Sequence, residues 1–249
     1  MSDPFFFGIG GVVSADTAVP DHEAECRFYA KLLTSGSEPL WRDDLLNRHG
    51  TPIIGLGERT PEYESLPLQW MPHIQVADVA ASAAAAVELG GRELMHGRDK
   101  EGNSQWAALT DPNGAAFGVI PVVDESAAAA YQSDGVAYVA WLSLRTVGME
   151  QACAFYERVV GWSVDSAGED GSRKLRRGDG EVAGAIAPAM DADEVPAIWM
   201  LHVPVGDLDE SLHRATEHGG RILWRSSGSP GRAILRDPVG VCFGLMSHP

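Results

Sequence analysis

The strongest constraint on this 249-residue chain is that it repeats itself. Trp70 to Val79 reads Trp-Met-Pro-His-Ile-Gln-Val-Ala-Asp-Val, and Trp199 to Leu208 reads Trp-Met-Leu-His-Val-Pro-Val-Gly-Asp-Leu, a step of 129 residues between His73 and His202. Ser82 and Ser211, Glu88 and Glu217, and the triplets Gly90-Gly91-Arg92 and Gly219-Gly220-Arg221 keep the same step. Asp111-Pro112-Asn113-Gly114 with Phe117-Gly118 returns as Asp237-Pro238-Val239-Gly240 with Phe243-Gly244, now 126 residues on. A second, weaker pair is Cys26-Arg27-Phe28-Tyr29 and Cys153-Ala154-Phe155-Tyr156, 127 residues apart. Four units therefore alternate in two types, and the chain reads as a duplicated pair. The expected domains are 1–124, with units at about 1–66 and 67–124, and 135–249, with units at about 135–195 and 196–249. The boundary falls in Asp124 to Asp134, an alanine-rich stretch with no periodic core pattern.

Each unit gives the same element order. In the second, His73 to Val76 alternates as a short strand, Asp78 is placed to cap a helix running to Leu89, and Gly90-Gly91 stops it. Short apolar runs follow at Arg92 to Met95, Trp106 to Leu109 and Ala115 to Ile120, with the Asp111-Pro112-Asn113-Gly114 turn between the last two. The fourth unit agrees: Asp207 and Glu210 form a capping-box pattern, and strands are expected at Arg232 to Leu235 and Val241 to Met246. In the first and third, helices end near Leu33 and Val160-Gly161, ahead of strands at Pro52 to Gly57 and Val182 to Ala187. The order is β-α-β-β-β, and the fold class is α+β.

Composition narrows the partners. With 35 acidic against 19 basic side chains, the net charge of −16 repels phosphate backbones, so nucleic acid is not expected. The longest apolar runs fall far short of the roughly 20 residues that span a bilayer, so no membrane partner is expected either. Phe5 to Val13 is apolar but lacks the preceding basic residues of a signal peptide, which points to a cytoplasmic protein. Cys26, Cys153 and Cys242 have neither disulfide-framework nor metal-ligand spacing and read as small core side chains. Gly8-x-Gly10-Gly11 lacks the strand-to-helix context of a dinucleotide site, and there is no nucleophile elbow or phosphate-binding loop.

A β-α-β-β-β unit used four times as two pairs resembles the vicinal oxygen chelate superfamily of glyoxalases, extradiol dioxygenases and bleomycin-resistance proteins, in its two-domain, glyoxalase-like branch. The residues that carry the resemblance are Phe28-Tyr29, Phe155-Tyr156 with Gly161-Trp162, His73 to Val79, the Gly-Gly helix stops, and Asp-Pro-x-Gly-x-x-Phe-Gly in both second-type units. It implies paired units forming curved, mostly antiparallel, eight-stranded sheets around a cleft that takes metal, substrate or drug. Metal-dependent members place a His or Glu seven residues before the helix-capping Asp of a unit, and a Glu in its last strand. Here those places hold Met71, Met200, Ser14 and Trp141, with Gly118 and Gly244 in the last strands. None is a ligand for a hard divalent ion. Glu58 is the one acid near a ligand-like place. No cofactor is therefore expected, and a divalent metal with atypical ligands is the alternative.

His73 and His202 stand two residues inward from the vacated methionine positions, on the same strand face, and are the candidate acid-base groups. Large aromatics supply contact and stacking in a concave site, so Trp41, Trp70, Trp106, Trp141 and Trp199 are candidate ligand contacts, with Trp106 and Trp141 favoured. Asp16 faces the same way as Ser14 and joins them. The expected function is binding of a small organic molecule in a β-sheet cleft without the usual metal, with lyase or isomerase chemistry on a histidine. A non-catalytic protein that sequesters a drug is the rival reading, and a monomer or a homodimer fits either.

Overall fold

The computed structural model describes residues 7–35, 38–39, 44–46, 52–123, 139–190, 195–228 and 231–247. Trp41 and the expected boundary at 124–134 lie outside them.

In the first half, β1 (Val12–Val19) leads into α1 (His22–Leu32), followed by the short strands β2 (Thr34–Ser35), β3 (Glu38–Pro39) and β4 (Asp44–Leu46) and by β5 (Pro52–Glu58). Its second unit is β6 (Met71–Val76), α2 (Val79–Glu88), β7 (Arg92–Arg98), β8 (Ser104–Thr110) and β9 (Ala116–Pro121). The second half repeats this with β10 (Trp141–Thr146), α3 (Met149–Val160), β11 (Ser163–Val164), β12 (Arg173–Arg176) and β13 (Val182–Pro188). It closes with β14 (Trp199–Val205), α4 (Leu208–Glu217), β15 (Arg221–Arg225), β16 (Arg232–Arg236) and β17 (Cys242–Ser247).

Local chemistry explains the helix ends. Asp21, Asp78 and Asp207 each accept a hydrogen bond from the backbone N–H three residues on, at 2.9, 2.9 and 3.0 Å, satisfying a donor that the helix leaves open. α3 lacks such a cap because Gly148 stands where the other three helices have aspartate, and it ends on Gly161 in the left-handed region.

Among the described residues the first sheet has seven strands in the order β4-β5-β1-β6-β9-β8-β7, and the second has eight, β11-β12-β13-β10-β14-β17-β16-β15. In both, the first strands of the two units meet antiparallel at the centre, β1 on β6 and β10 on β14. Parallel ladders occur only where β5, β9, β13 and β17 pair with those central strands, so each sheet is mostly antiparallel.

The two halves are joined through their helices. α1 packs on α4 and α2 on α3, and a single core cluster runs through both halves. The repeated motifs are the contact surface. Phe28 and Tyr29 meet Phe243 edge-on, and Phe155 and Tyr156 meet Phe117 in the same way. Tyr29 Oη donates to Asp237 Oδ2 at 3.1 Å, and Tyr156 Oη reaches Asp111 Oδ2 at 3.4 Å. Those aspartates also hold their own Asp-Pro-x-Gly turns, through the N–H groups of Asn113 and Ala115 and of Gly240 and Val241. Burial raises the pKa of both carboxyl groups and pushes both tyrosine hydroxyls well above their ordinary value.

Candidate functional site

With the helices on one face of each sheet, the other face is left concave. In the first half it encloses a cavity of about 620 Å³, walled by strands β1, β5, β6, β7, β8 and β9 and by the turn Pro61–Tyr63. Asp16, His73 and Trp106 all line it, so the curvature of the sheet brings together three residues that are far apart in sequence. Leu56, Leu66, Met71, Met95 and Ile120 make the wall largely apolar, and among the described residues Asp16 is the only carboxylate on it.

His73 is the best-defined polar group there. It pairs across the ladders with Ser14 on β1 and Gly118 on β9. Its Nδ1 lies 2.8 Å from Ser14 Oγ, and its Nε2 lies 3.5 Å from Asp16 Oδ2. The Ser14 hydroxyl can accept from Nδ1–H, which fixes the ring in the tautomer whose Nε2 is free to take a proton, and the imidazolium so formed would lie beside the Asp16 carboxylate. The His73 side chain is 23% exposed and that of Asp16 is 50% exposed, so both are reachable from solvent. Trp106, 40% exposed, lies over the backbone of Gly97, where an added Cβ would come within 2.1 Å of the indole Nε1.

The glycines at the vacated last-strand positions have a steric reason. A Cβ on Gly118 would sit 2.5 Å from His73 Cδ2, and one on Gly244 would sit 2.1 Å from His202 Nδ1. Each imidazole occupies the space that a glutamate side chain would need. Among the described residues no three His, Cys, Asp or Glu side chains converge, and the cavity offers one imidazole and one carboxylate. That donor set falls short of the three protein ligands of a catalytic zinc-type site.

The second half keeps the frame and changes its lining. His202 is 7% exposed, with Nε2 at 2.7 Å from Ser143 Oγ. Burial, then Arg232 and Arg145, lower its pKa to about 3, so the ring is neutral across the physiological range. Its environment is thus unlike that of His73. Trp141 pairs with His202 across the ladder and is half-buried.

Trp70 and Trp199 are core residues. Trp70 meets Tyr29 edge-on, and Trp199 donates from Nε1 to Tyr156 Oη at 2.9 Å, so each packs behind the tyrosine of its own half that crosses the joint, and neither lines the cavity. Glu58 ends β5 and is exposed outside the cavity wall. Cys153 and Cys242 are buried and Cys26 is partly so, all three as free thiols. Sequence reasoning passed over Ser14 as a ring-fixing group, Tyr63 and Gln105 in the wall, and Arg145 and Arg232 in the second half. The two arginines stand at the positions of Ala18 and Trp106 in the repeat, a substitution visible only when the halves are aligned.

The match to known proteins follows the same division. The family model described as "Glyoxalase-like domain" matches twice, at residues 12–120 and 141–246, and the chain belongs to this family. A Mycobacterium tuberculosis protein named "Putative glyoxylase CFP32" is 33% identical over 246 residues, covering 93% of this chain and 92% of that protein. The anthracycline biosynthesis protein DnrV of Streptomyces peucetius is 29% identical over 191 residues, covering 74% of this chain and 68% of its own length. Among solved structures, the Mn(II)-bound glyoxalase of Novosphingobium aromaticivorans superposes with a TM-score of 0.53 at 17% identity, covering 97% of this chain and 83% of that one. A variant of homoprotocatechuate 2,3-dioxygenase from B. fuscum gives 0.56 at 13% identity, covering 98% and 73%. At such identities these two structures speak for the fold. No helix of the described residues is long and apolar enough to cross a membrane.

Proposed function

We propose that the first-half cavity binds a small, flat organic molecule, neutral or cationic, and that His73 exchanges a proton with it without a resident metal. The observation that carries this is the Ser14–His73–Asp16 arrangement at an apolar cavity of about 620 Å³, a size suited to a drug-sized ligand. Trp106 offers an aromatic face for stacking, and Asp16 is placed to favour a positive charge on the ligand or on the His73 imidazolium formed during proton transfer. A relative named for anthracycline biosynthesis agrees with a polycyclic aromatic ligand class.

In this reading Ser14 orients the ring, Nε2 of His73 takes or gives the proton, and Asp16 stabilises the charged form. The chemistry is then a lyase or isomerase step, in which a proton is moved and no atom of the substrate is lost to a cofactor. His202 was expected to share this role; burial and the neutral state leave His73 as the better-placed of the two.

Naphthylethylamine, naphthylethanol and naphthaleneacetate share one ring system and differ in charge, and Trp106 fluorescence reports on their binding. The amine should bind best and the acid worst, with Asp16→Asn removing the preference of about tenfold between amine and alcohol. Failure of all three to bind would sink the binding reading. Once a turned-over substrate is in hand, His73→Gln should abolish turnover and spare binding; turnover surviving that change would leave the non-catalytic, drug-sequestering reading in its place.

A further inference from the structure

The hairpin of β7 and β8 carries polar groups that neither the first-half cavity nor the joint uses. Two irregularities shape it. Between Glu93 and Met95 an extra residue enters β7, and between Gly97 and Arg98 the pairing steps back, leaving Gln105 extra in β8. A regular strand sends residues i and i+3 to opposite faces, and a bulge undoes that alternation. Glu93, His96, Arg98 and Ser104 thereby come to one face of the hairpin, and none of them lines the cavity.

These four side chains touch in a definite order. His96 Nδ1 lies 3.0 Å from Glu93 Oε2, and its Nε2 lies 2.8 Å from Ser104 Oγ. The carboxylate accepts from Nδ1–H, which leaves Nε2 to accept from the Ser104 hydroxyl. Arg98 Nη2 stands farther from Nδ1, at 3.4 Å, so Glu93 sets the tautomer. Arg98 Nη1 donates to Ser104 Oγ at 3.1 Å. A hydroxyl on a base, with the base held by a third group, is the arrangement that activates a nucleophile. The His96 side chain is only 8% exposed and so is held in place, whereas Glu93 is exposed and Ser104 keeps contact with solvent.

The hairpin does not need these groups to form. In the second half β15 has the same bulge, between Ile222 and Trp224, but Ile222 and Arg225 stand where β7 has Glu93 and His96. The bulge belongs to the repeated frame, and the polar set belongs to the first half alone.

We propose that Ser104, His96 and Glu93 form a nucleophilic centre that takes the acyl group of a small activated ester. The centre is separate from the first-half cavity and does not depend on what that cavity binds. Ser104 Oγ bonds to the acyl carbon as its proton passes to His96 Nε2. The bond from that carbon to the leaving alcohol then breaks, and the alcohol departs with the proton. Water, deprotonated by Nε2, splits the acyl-serine, which releases a carboxylic acid and restores the Ser104 hydroxyl. Arg98, against Oγ, is placed to offset the negative charge that builds on the carbonyl oxygen, and Glu93 offsets the positive charge on the imidazole. Ser104 is partly covered, which restricts the acyl group to a small one.

The test treats the full chain with diisopropyl fluorophosphate, an irreversible stand-in for the acyl donor, and locates the label by peptide mass spectrometry. Ser104 should carry it, and the labelled chain should lose most of its hydrolysis of 4-nitrophenyl acetate. His96→Gln should slow labelling of Ser104 by about a hundredfold. Glu93→Ile combined with His96→Arg copies the sister hairpin, whose residues suit the same bulge, and should slow labelling as much while urea unfolding shows the fold intact. A chain that stays unlabelled at Ser104, hydrolysis that survives labelling, or labelling at the parent rate in either variant would overturn the proposal.

Discussion

The two halves are built on one frame and differ in what stands around it. Each has a histidine on its central strand, a facing glycine that makes room for the ring, and a serine hydroxyl on the imidazole. Around that frame Asp16 answers to Ser143, Ala18 to Arg145 and Trp106 to Arg232. Among the described residues the first-half cavity carries one carboxylate among apolar walls, and the matching positions of the second half bring in two arginines. The histidine and glycine fit each other in volume, so neither changes alone without a clash or a void. Asp16 and Ser143 both sit against the histidine of their own half, so the rim tunes the ring that the frame holds. Duplication here preserved what packs and left free what faces outward.

The frame itself gives the largest expected effect. Gly244→Ala forces a methyl group against the buried His202, which has nowhere to go, and should destabilise the protein by about 2–4 kcal/mol in urea denaturation. Gly118→Ala meets a ring that can swing into the cavity and should cost about 1 kcal/mol while disturbing ligand binding there. Equal costs would show that the two histidines are equally confined and would break the comparison.

A second asymmetry lies at the joint between the halves. Glu25 is fully buried beside Asp237, with its pKa raised to about 8, chiefly by burial and then by that neighbour. At the matching place in the second half stands Ala152. Because the folded state holds the Glu25 proton more tightly than the unfolded chain, its contribution is full below pH 4.5 and is lost as the pH rises from there through about 8. Glu25→Gln should therefore stabilise the protein at pH 8 by about 1–3 kcal/mol and have little effect at pH 4, measured as thermal or urea unfolding. His202 acts in the opposite sense. Its stabilisation is complete above the ordinary imidazole pKa of 6.5 and is lost as the pH falls toward about 3, so its ring signals should not titrate between pH 8 and 5.

Exchange of rims is a subtler test. Giving the first cleft the second's residues, by Ala18→Arg with Trp106→Arg, should reverse its preference from naphthylethylamine to naphthaleneacetate by about tenfold, or about 1.4 kcal/mol. Asp16→Asn alone should leave stability within about 0.5 kcal/mol of the parent, since that side chain is half exposed and packs against little. Loss of stability in Asp16→Asn would mean that the carboxylate holds the cleft together.

Much of the fold was legible because the repeat recorded it twice. The Asp caps, the Gly-Gly stops and the strand order at Met71–Val76 or Cys242–Ser247 are local signals, and finding each in two places reinforced them. The site was less legible for a physical reason. Phe28, Tyr29, Trp70 and Trp199 are repeated as strongly as His73, but their repetition records the core at and behind the joint, and a sequence does not say which face of a strand meets that core. Trp70 and Trp199 were accordingly read as ligand contacts. Arg145 and Arg232 look like isolated polar positions on two distant strands. Only alignment of the halves shows that they stand where Ala18 and Trp106 line the first-half cavity.

The crossed contacts between the halves have a consequence for assembly. Tyr29 reaches Asp237 while Tyr156 reaches Asp111, so residue i touches j and its counterpart j touches i, which is the rule of an isologous two-fold interface. A chain of half this length would carry one tyrosine and one aspartate of the set and could close neither contact by itself. It would need a second copy. What holds the two halves of this chain together is thus the grammar of a homodimer, written into a single polypeptide.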